Sequence, residues 1–133
     1  MIVADASVVV VSLLRSGRAR SLLVEQQVQV PSLIDAEVAN ALRTRVRLGQ
    51  VSADDGWRLL NIYRWMAVTR HDIFALFDRI WELRDNLTAY DAAYVALSET
   101  IDCPLVTADA RLSRAPRLSR APGLRCAVTV VPG

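Results

Sequence analysis

The stretch LTAYDAAYVALSETIDCPLVTADARL, residues 87–112, carries the decisive pattern. Its first part, 88–101, reads as a helix: Thr88 stands three residues before Asp91 in capping-box spacing, and Ala89, Ala92, Ala93 and Ala96 form a small-residue face that can pack very close to a neighbour. The run PLVT, 104–107, then reads as a short buried strand, and Asp109 starts another short helix. A helix feeding a short, uninterrupted apolar strand is the repeating unit of parallel α/β sheets.

Working outward, the same alternation fills the chain. IVA at 2–4 is a strand buried on both faces, followed by a helix over 7–15 that stops near Gly17. Residues 18–27 form a second short helix, and VQVP at 28–31 a strand closed by Pro31. The helix at 32–48, with Ser32 or Asp35 as cap, repeats Ile34, Val38, Leu42 and Val46 every four residues and ends at Gly49, with Arg43, Arg45 and Arg47 on its other face. Ser52 and Asp55 make a capping box for a helix to about Met66, with Leu59, Ile62, Tyr63 and Met66 on one stripe. A strand at 67–70 follows, then a helix capped by Asp72 with Ile73, Phe77, Ile80 and Trp81 turned inward; residues 125–131 form the last strand. The order predicts an α/β fold with a mainly parallel sheet covered on both faces, in a single domain over residues 1–133.

Composition narrows the function classes. At 133 residues, 53% hydrophobic and 23% charged, the chain has enough apolar residues for one sizeable core, which excludes a mainly disordered protein. The net charge of +2 does not by itself announce nucleic-acid binding. All sixteen basic residues are Arg, a bias that GC-rich codons explain as well as phosphate recognition does. Cys103 and Cys126 have no metal-ligand spacing and fit a reducing cytosol; the lone His71 reads as a strand-end residue. The most apolar stretch, ASVVVVSLL at 6–14, is far short of the ~20 residues that span a bilayer and follows Asp5 rather than a positive charge, so a cytoplasmic protein is expected.

Ligands of parallel α/β sheets bind beyond the carboxyl ends of the strands. Asp5 follows the first strand and Asp109 the strand at 104–107, while Asp91 and Glu37 lie in first turns of helices that can reach the same edge. Each has an ordinary role open to it: Asp5 and Asp109 as caps, Asp91 as part of the Thr88 capping box, Glu37 as a partner of Arg43 or a solvent-facing charge. Together they pose an electrostatic problem. Like charges ~4 Å apart cost roughly 4 kcal/mol at an effective dielectric of ~20, against a domain stability of only ~5–15 kcal/mol. Protonation, separation or a bound cation must relieve the repulsion, and oxygen-only ligands point to Mg²⁺ or Mn²⁺. Such an ion permits phosphodiester hydrolysis, although spacing alone does not establish it.

Four segments, MIVADAS (1–7), EVANALR (37–43), LTAYDAAYVALSE (87–99) and PLVTADARL (104–112), resemble the PIN-domain family, and within it the VapC ribonuclease toxins of type II toxin–antitoxin pairs. The resemblance covers essentially the whole chain. It implies a three-layer α/β/α sandwich and a Mg²⁺- or Mn²⁺-dependent endoribonuclease acting on transfer or ribosomal RNA. Asp5, Glu37, Asp91 and Asp109 match the family's acidic quartet. By that match Asp5 and Asp91 are principal metal ligands, Asp109 completes or water-bridges the coordination, and Glu37 helps position the metal or the attacking water. Ser7 and Thr107 match polar companions that bond carboxylates or substrate. Asp35 competes with Glu37, but the two project about 200° apart on a helix, and the family pattern selects Glu37. Asn86, just before the motif, can also approach the site.

One feature departs from the family. RLSRAP occurs twice, at 111–116 and 117–122, and the extra copy lengthens a loop near the acidic edge, either as an Arg-rich RNA contact or as a neutral insertion. The resemblance further implies a homodimer and a small antitoxin, for which the helices at 32–48 and 53–66, with Trp57, Leu60 and Trp65, are the expected contact. The non-enzymatic alternative is a catalytically silent RNA- or partner-binding module. A haloacid-dehalogenase-type phosphatase is disfavoured, because position 7 is Ser where it needs an acid and no Lys exists.

Overall fold

The computed structural model describes residues 1–110 and 123–132. The duplicated RLSRAP and most of the short helix expected after Asp109 lie outside the described residues. The elements run β1 (Ile2–Ala4), α1 (Ala6–Leu14), α2 (Arg18–Glu25), β2 (Val28–Pro31), α3 (Ile34–Arg47), α4 (Ala53–Arg64), β3 (Val68–His71), a 3₁₀ turn (Ile73–Leu76), α5 (Phe77–Glu82), α6 (Ala89–Ile101), β4 (Leu105–Thr107) and β5 (Val128–Val130).

The five strands form one all-parallel sheet in the order β3-β2-β1-β4-β5. Every residue of the central strands β1 and β4 is buried, which is why each reads as a short unbroken apolar run. The edge strands β3 and β5 are more open. Helices α1, α3 and α4 pack together with α2 against α1, while α6 lies on β1, β2 and β4 and carries α5. The result is the three-layer α/β/α sandwich the sequence implied.

Local chemistry sets the helix ends. Asp5, Ser52 and Thr88 each accept a backbone N–H at the start of α1, α4 and α6. Val8, Val9 and Val10 are buried, and Ala92 to Ser98 are buried as a continuous run. Gly56 lets α4 approach α3, because a Cβ there would lie 2.8 Å from Val46 Cγ2.

Several readings change. Neither Ser32 nor Asp35 caps α3; Leu33 occupies that position without a side-chain bond. The helix after Asp72 is broken into a 3₁₀ turn and a short α5. Leu76 and Leu83 supply its buried contacts, whereas Phe77 and Trp81 face solvent along with Phe74. On α4, Ile62 is exposed and the core contacts come from Leu59 and Tyr63. The final strand is confined to Val128–Val130. His71 does end β3, where Nε2 meets Gln29 Oε1 at 2.6 Å, and both cysteines are free thiols.

Candidate active site

The chain leaves β1 toward β2 and β3 and returns to place β4 on the other flank of β1. The sheet order therefore reverses between β1 and β4, and a crevice opens beyond their carboxyl ends. Asp5 is the first residue after β1, and its amide still bonds Val106 O of β4 at 3.1 Å. Its side chain both caps α1, accepting from Val8 N at 3.2 Å, and accepts from Ser7 Oγ at 2.5 Å. Ser7 Oγ in turn accepts from Ala108 N at 2.9 Å and lies 3.2 Å from Thr107 Oγ1, which accepts from Asp109 N at 3.0 Å. Ser7 and Thr107 thus fasten the loop after β4 to the start of α1.

Asp5 is only 8% exposed. Burial pushes its carboxyl above the usual range, against the pull of hydrogen bonds from Ser7, Thr107 and the backbone of Val8 and Ser7. Asp91 lies in the first turn of α6, its amide bonded to Thr88 Oγ1 at 3.2 Å. Its carboxyl is also pushed up, by burial and then by the negative charges of Asp5 and Asp109. Glu37, in the first turn of α3, is raised by burial and by Asp91 and Asp5, against a hydrogen bond from Tyr94. Asp91 therefore feels Asp5 and Asp109, and Glu37 feels Asp91 and Asp5. They do not form a ready-made cage: among the described residues, no three His, Cys, Asp or Glu side chains are grouped closely enough to hold an ion.

Tyr94 is a site residue that the sequence reading missed. Its hydroxyl donates to Glu37 Oε1 at 2.6 Å, and burial with that bond pushes the phenol far above its ordinary value. The available signal was spacing, since Tyr94 follows Asp91 by three residues and shares its helix face. Asp35 is settled elsewhere. Burial works against its charge, but Arg70, through three hydrogen bonds of 2.8–3.1 Å, and Tyr63 OH at 2.6 Å hold its carboxyl below the usual range. Asn86 sits in the turn after α5, where its amide bonds Leu83 O, and no described side-chain bond ties it to the acids.

Among the described residues no Arg hydrogen-bonds or ion-pairs with Asp5, Glu37 or Asp91. The arginines with acidic partners are engaged elsewhere, as in Arg79 with Glu99 and Glu82, and Arg58 with Asp55. The carboxylates of Asp5, Glu37, Asp91 and Asp109 offer hard oxygen donors of the kind that Mg²⁺ or Mn²⁺ takes.

The comparisons agree with this architecture. The family model for the PIN domain matches residues 2–118. Ribonuclease VapC9 of Mycobacterium tuberculosis (strain H37Rv) is 47% identical over 132 residues, covering 99% of each chain. Ribonuclease VapC1 of the same strain is 37% identical over 134 residues, covering 97% of this chain and 96% of the relative. Among solved structures, PAE2754 from Pyrobaculum aerophilum superposes with a TM-score of 0.66 at 23% identity, over 96% of this chain and 81% of that one. VapC20 from Mycobacterium tuberculosis, a sarcin-ricin loop cleaving toxin, gives 0.64 at 16% identity, over 92% and 100%. With a family model matching most of its length and whole-length relatives well above 30% identity, the chain belongs to the PIN domain family, among its VapC ribonucleases.

Proposed function

We propose that the chain is a Mg²⁺- or Mn²⁺-dependent endoribonuclease, the toxin of a toxin–antitoxin pair, that hydrolyses phosphodiester bonds of transfer or ribosomal RNA. The observation that carries this reading is the placement of Asp5 and Asp109 just beyond the carboxyl ends of β1 and β4, with Asp91 and Glu37 in the first turns of α6 and α3. Whole-length relatives named ribonucleases support it.

In this reading Asp5, Asp91 and Asp109 hold the metal, and Glu37 positions it or the attacking water. The bound ion supplies an activated water and stabilises charge on the phosphate. The protein's own side chains prepare the site. Ser7 fixes the rotamer of Asp5, and Thr107 takes the amide of Asp109, setting where that carboxylate departs from β4. Tyr94 occupies Oε1 of Glu37. Its Oε2 accepts no described hydrogen bond and is available to water or to a ribose hydroxyl. The products are a 5′-phosphate and a 3′-hydroxyl.

The proposal includes a small antitoxin partner and a homodimer in the cytoplasm. Trp57 and Trp65, on and just after α4, are 57% and 77% exposed, a large apolar area for a helix end to leave uncovered. Among the described residues no helix is long and apolar enough to cross a membrane.

The test is incubation of purified protein with cellular RNA and Mg²⁺ or Mn²⁺, followed by mapping of new 5′ ends. Defined cuts that vanish with chelator and in Asp5→Asn support the assignment. Equal cutting in chelator, or by both Asp5→Asn and Asp91→Asn, refutes it.

A further inference from the structure

A groove of about 520 Å³ runs between α1 and α3. At its inner end are Ser7, Glu37 and Asp109; at its outer end are Asn40 and Arg45. Glu37, Asn40, Ala41 and Arg45 share one face of α3, because positions three, four and eight apart stack along a helix. Eight residues advance about 12 Å along the axis. At ~3.4 Å per stacked nucleotide, and more when the strand is extended, that span covers two to four nucleotides.

Arg45 is half-buried against this groove. Among the described residues its side chain makes one long hydrogen bond, Nη1 to Gln50 Oε1 at 3.3 Å, and no ion pair. Arg18, Arg58, Arg70 and Arg79 each meet a carboxylate instead. Arg47, one turn end away, is exposed and does not line the groove.

Resting on the nuclease reading above, we propose that Asn40 and Arg45 form an RNA-backbone subsite, so that the α1–α3 groove carries the single strand on one side of the cut. Arg45 receives a backbone phosphate, and Asn40 offers donors and an acceptor to a sugar hydroxyl or base edge. Position rather than charge selects RNA over an acidic peptide, since both are anionic. A peptide long enough to reach Arg45 from the inner end would run its carboxylates past Glu37 and Asp109, whereas the RNA strand is already brought to that end by the bond being cut.

The test uses the full chain carrying Asp5→Asn, so that probe RNA stays intact, and fluorescein-labelled single-stranded RNAs of graded length titrated over a salt series. Adding Arg45→Ala is expected to lower the slope of log K against log salt by about 0.7 and to weaken binding about eightfold near 0.05 M salt. That loss should appear only with oligonucleotides long enough to reach the outer end. Arg45→Lys should restore most of the slope, and Arg47→Ala should leave it unchanged. In the cleaving background Arg45→Ala should raise KM with kcat within about twofold. Equal effects of Arg45→Ala and Arg47→Ala, or an unchanged slope, overturn the subsite. So does weakened binding of an acidic peptide with RNA binding intact. A normal slope effect in a chain that never cuts RNA retains the subsite and refutes only the nuclease.

Discussion

Replacing Ser7 with Ala tests how the site is built. One hydroxyl joins three segments: it donates to Asp5 Oδ1 at 2.5 Å, accepts from Ala108 N at 2.9 Å, and lies 3.2 Å from Thr107 Oγ1. The first bond is charge-assisted, and such bonds contribute roughly 1.5–3 kcal/mol. Removal also leaves the partly buried Ala108 N–H without that acceptor, a further cost of about 1 kcal/mol. The sum is about 3 kcal/mol, a large share of the ~5–15 kcal/mol that holds a domain of this size together. For a chain of 133 residues that corresponds to a fall in Tm of roughly 10 °C. Urea unfolding followed by far-ultraviolet circular dichroism is the assay, because Trp57, Trp65 and Trp81 are all exposed and report weakly on burial. The same substitution in an Asp5→Asn background should cost at least 1 kcal/mol less, since the charge that strengthens the bond is gone. The deficit should also shrink in acid, because Asp5 sits above its ordinary pKa when folded and loses its buried charge as pH falls through that value. A loss under about 0.5 kcal/mol, or a cycle with no coupling, would show that the Ser7 hydroxyl does not hold a charged Asp5 in place.

Other perturbations have distinct signatures. Tyr94→Phe should lower turnover about tenfold while leaving the melting temperature nearly intact, since it frees Glu37 without opening a cavity; steady-state kinetics beside a thermal melt decides this. Gly56→Ala should destabilise by about 1 kcal/mol although Ala is the better helix former, because its Cβ would meet Val46 Cγ2 at 2.8 Å; Val46→Ala should reverse the sign in urea titrations. Glu99 takes Arg79 through bonds of 2.8 and 3.1 Å and the Arg125 amide at 3.1 Å, and although burial opposes its charge these partners hold its carboxyl below the usual range. Its contribution is therefore complete above the unfolded pKa near 4.5 and is lost as pH falls through the lower folded value, so Glu99→Gln should flatten the acid limb of the stability curve.

The sheet and its carboxyl edge were legible because buried parallel strands leave short apolar runs, and IVA, VQVP and PLVT are unmistakable once each is joined to a helix. Asp5, Asp91 and Asp109 were legible for the same reason, since their distance from a strand end or helix start fixes which edge they occupy. The segment after Asp72 misled because Ile73, Phe77, Ile80 and Trp81 have helical spacing; the local break into a 3₁₀ turn leaves Ile80 against the core but turns Phe77 and Trp81 outward and gives burial to Leu76 and Leu83. Tyr94 was hidden because an aromatic on a helix lined with Ala reads as core, which it also is: at 2% exposure only its hydroxyl reaches Glu37. The fate of Asp35 depended on Arg70, thirty-five residues away, which no local spacing can display.

The proposed nuclease rests on a divalent ion relieving the mutual repulsion among these acids. The direct measurement is the melting of wild type and Asp91→Asn across a Mn²⁺ titration. Asp91 is raised above its ordinary pKa in the fold, so its charge opposes folding at neutral pH. Without metal, Asp91→Asn should melt higher than wild type. With metal at about 100 times its Kd, wild type should gain about 2.7 kcal/mol and overtake a variant that gains little. Parallel responses of the two proteins to Mn²⁺, with no crossing, would rule out Asp91 as a ligand of the ion.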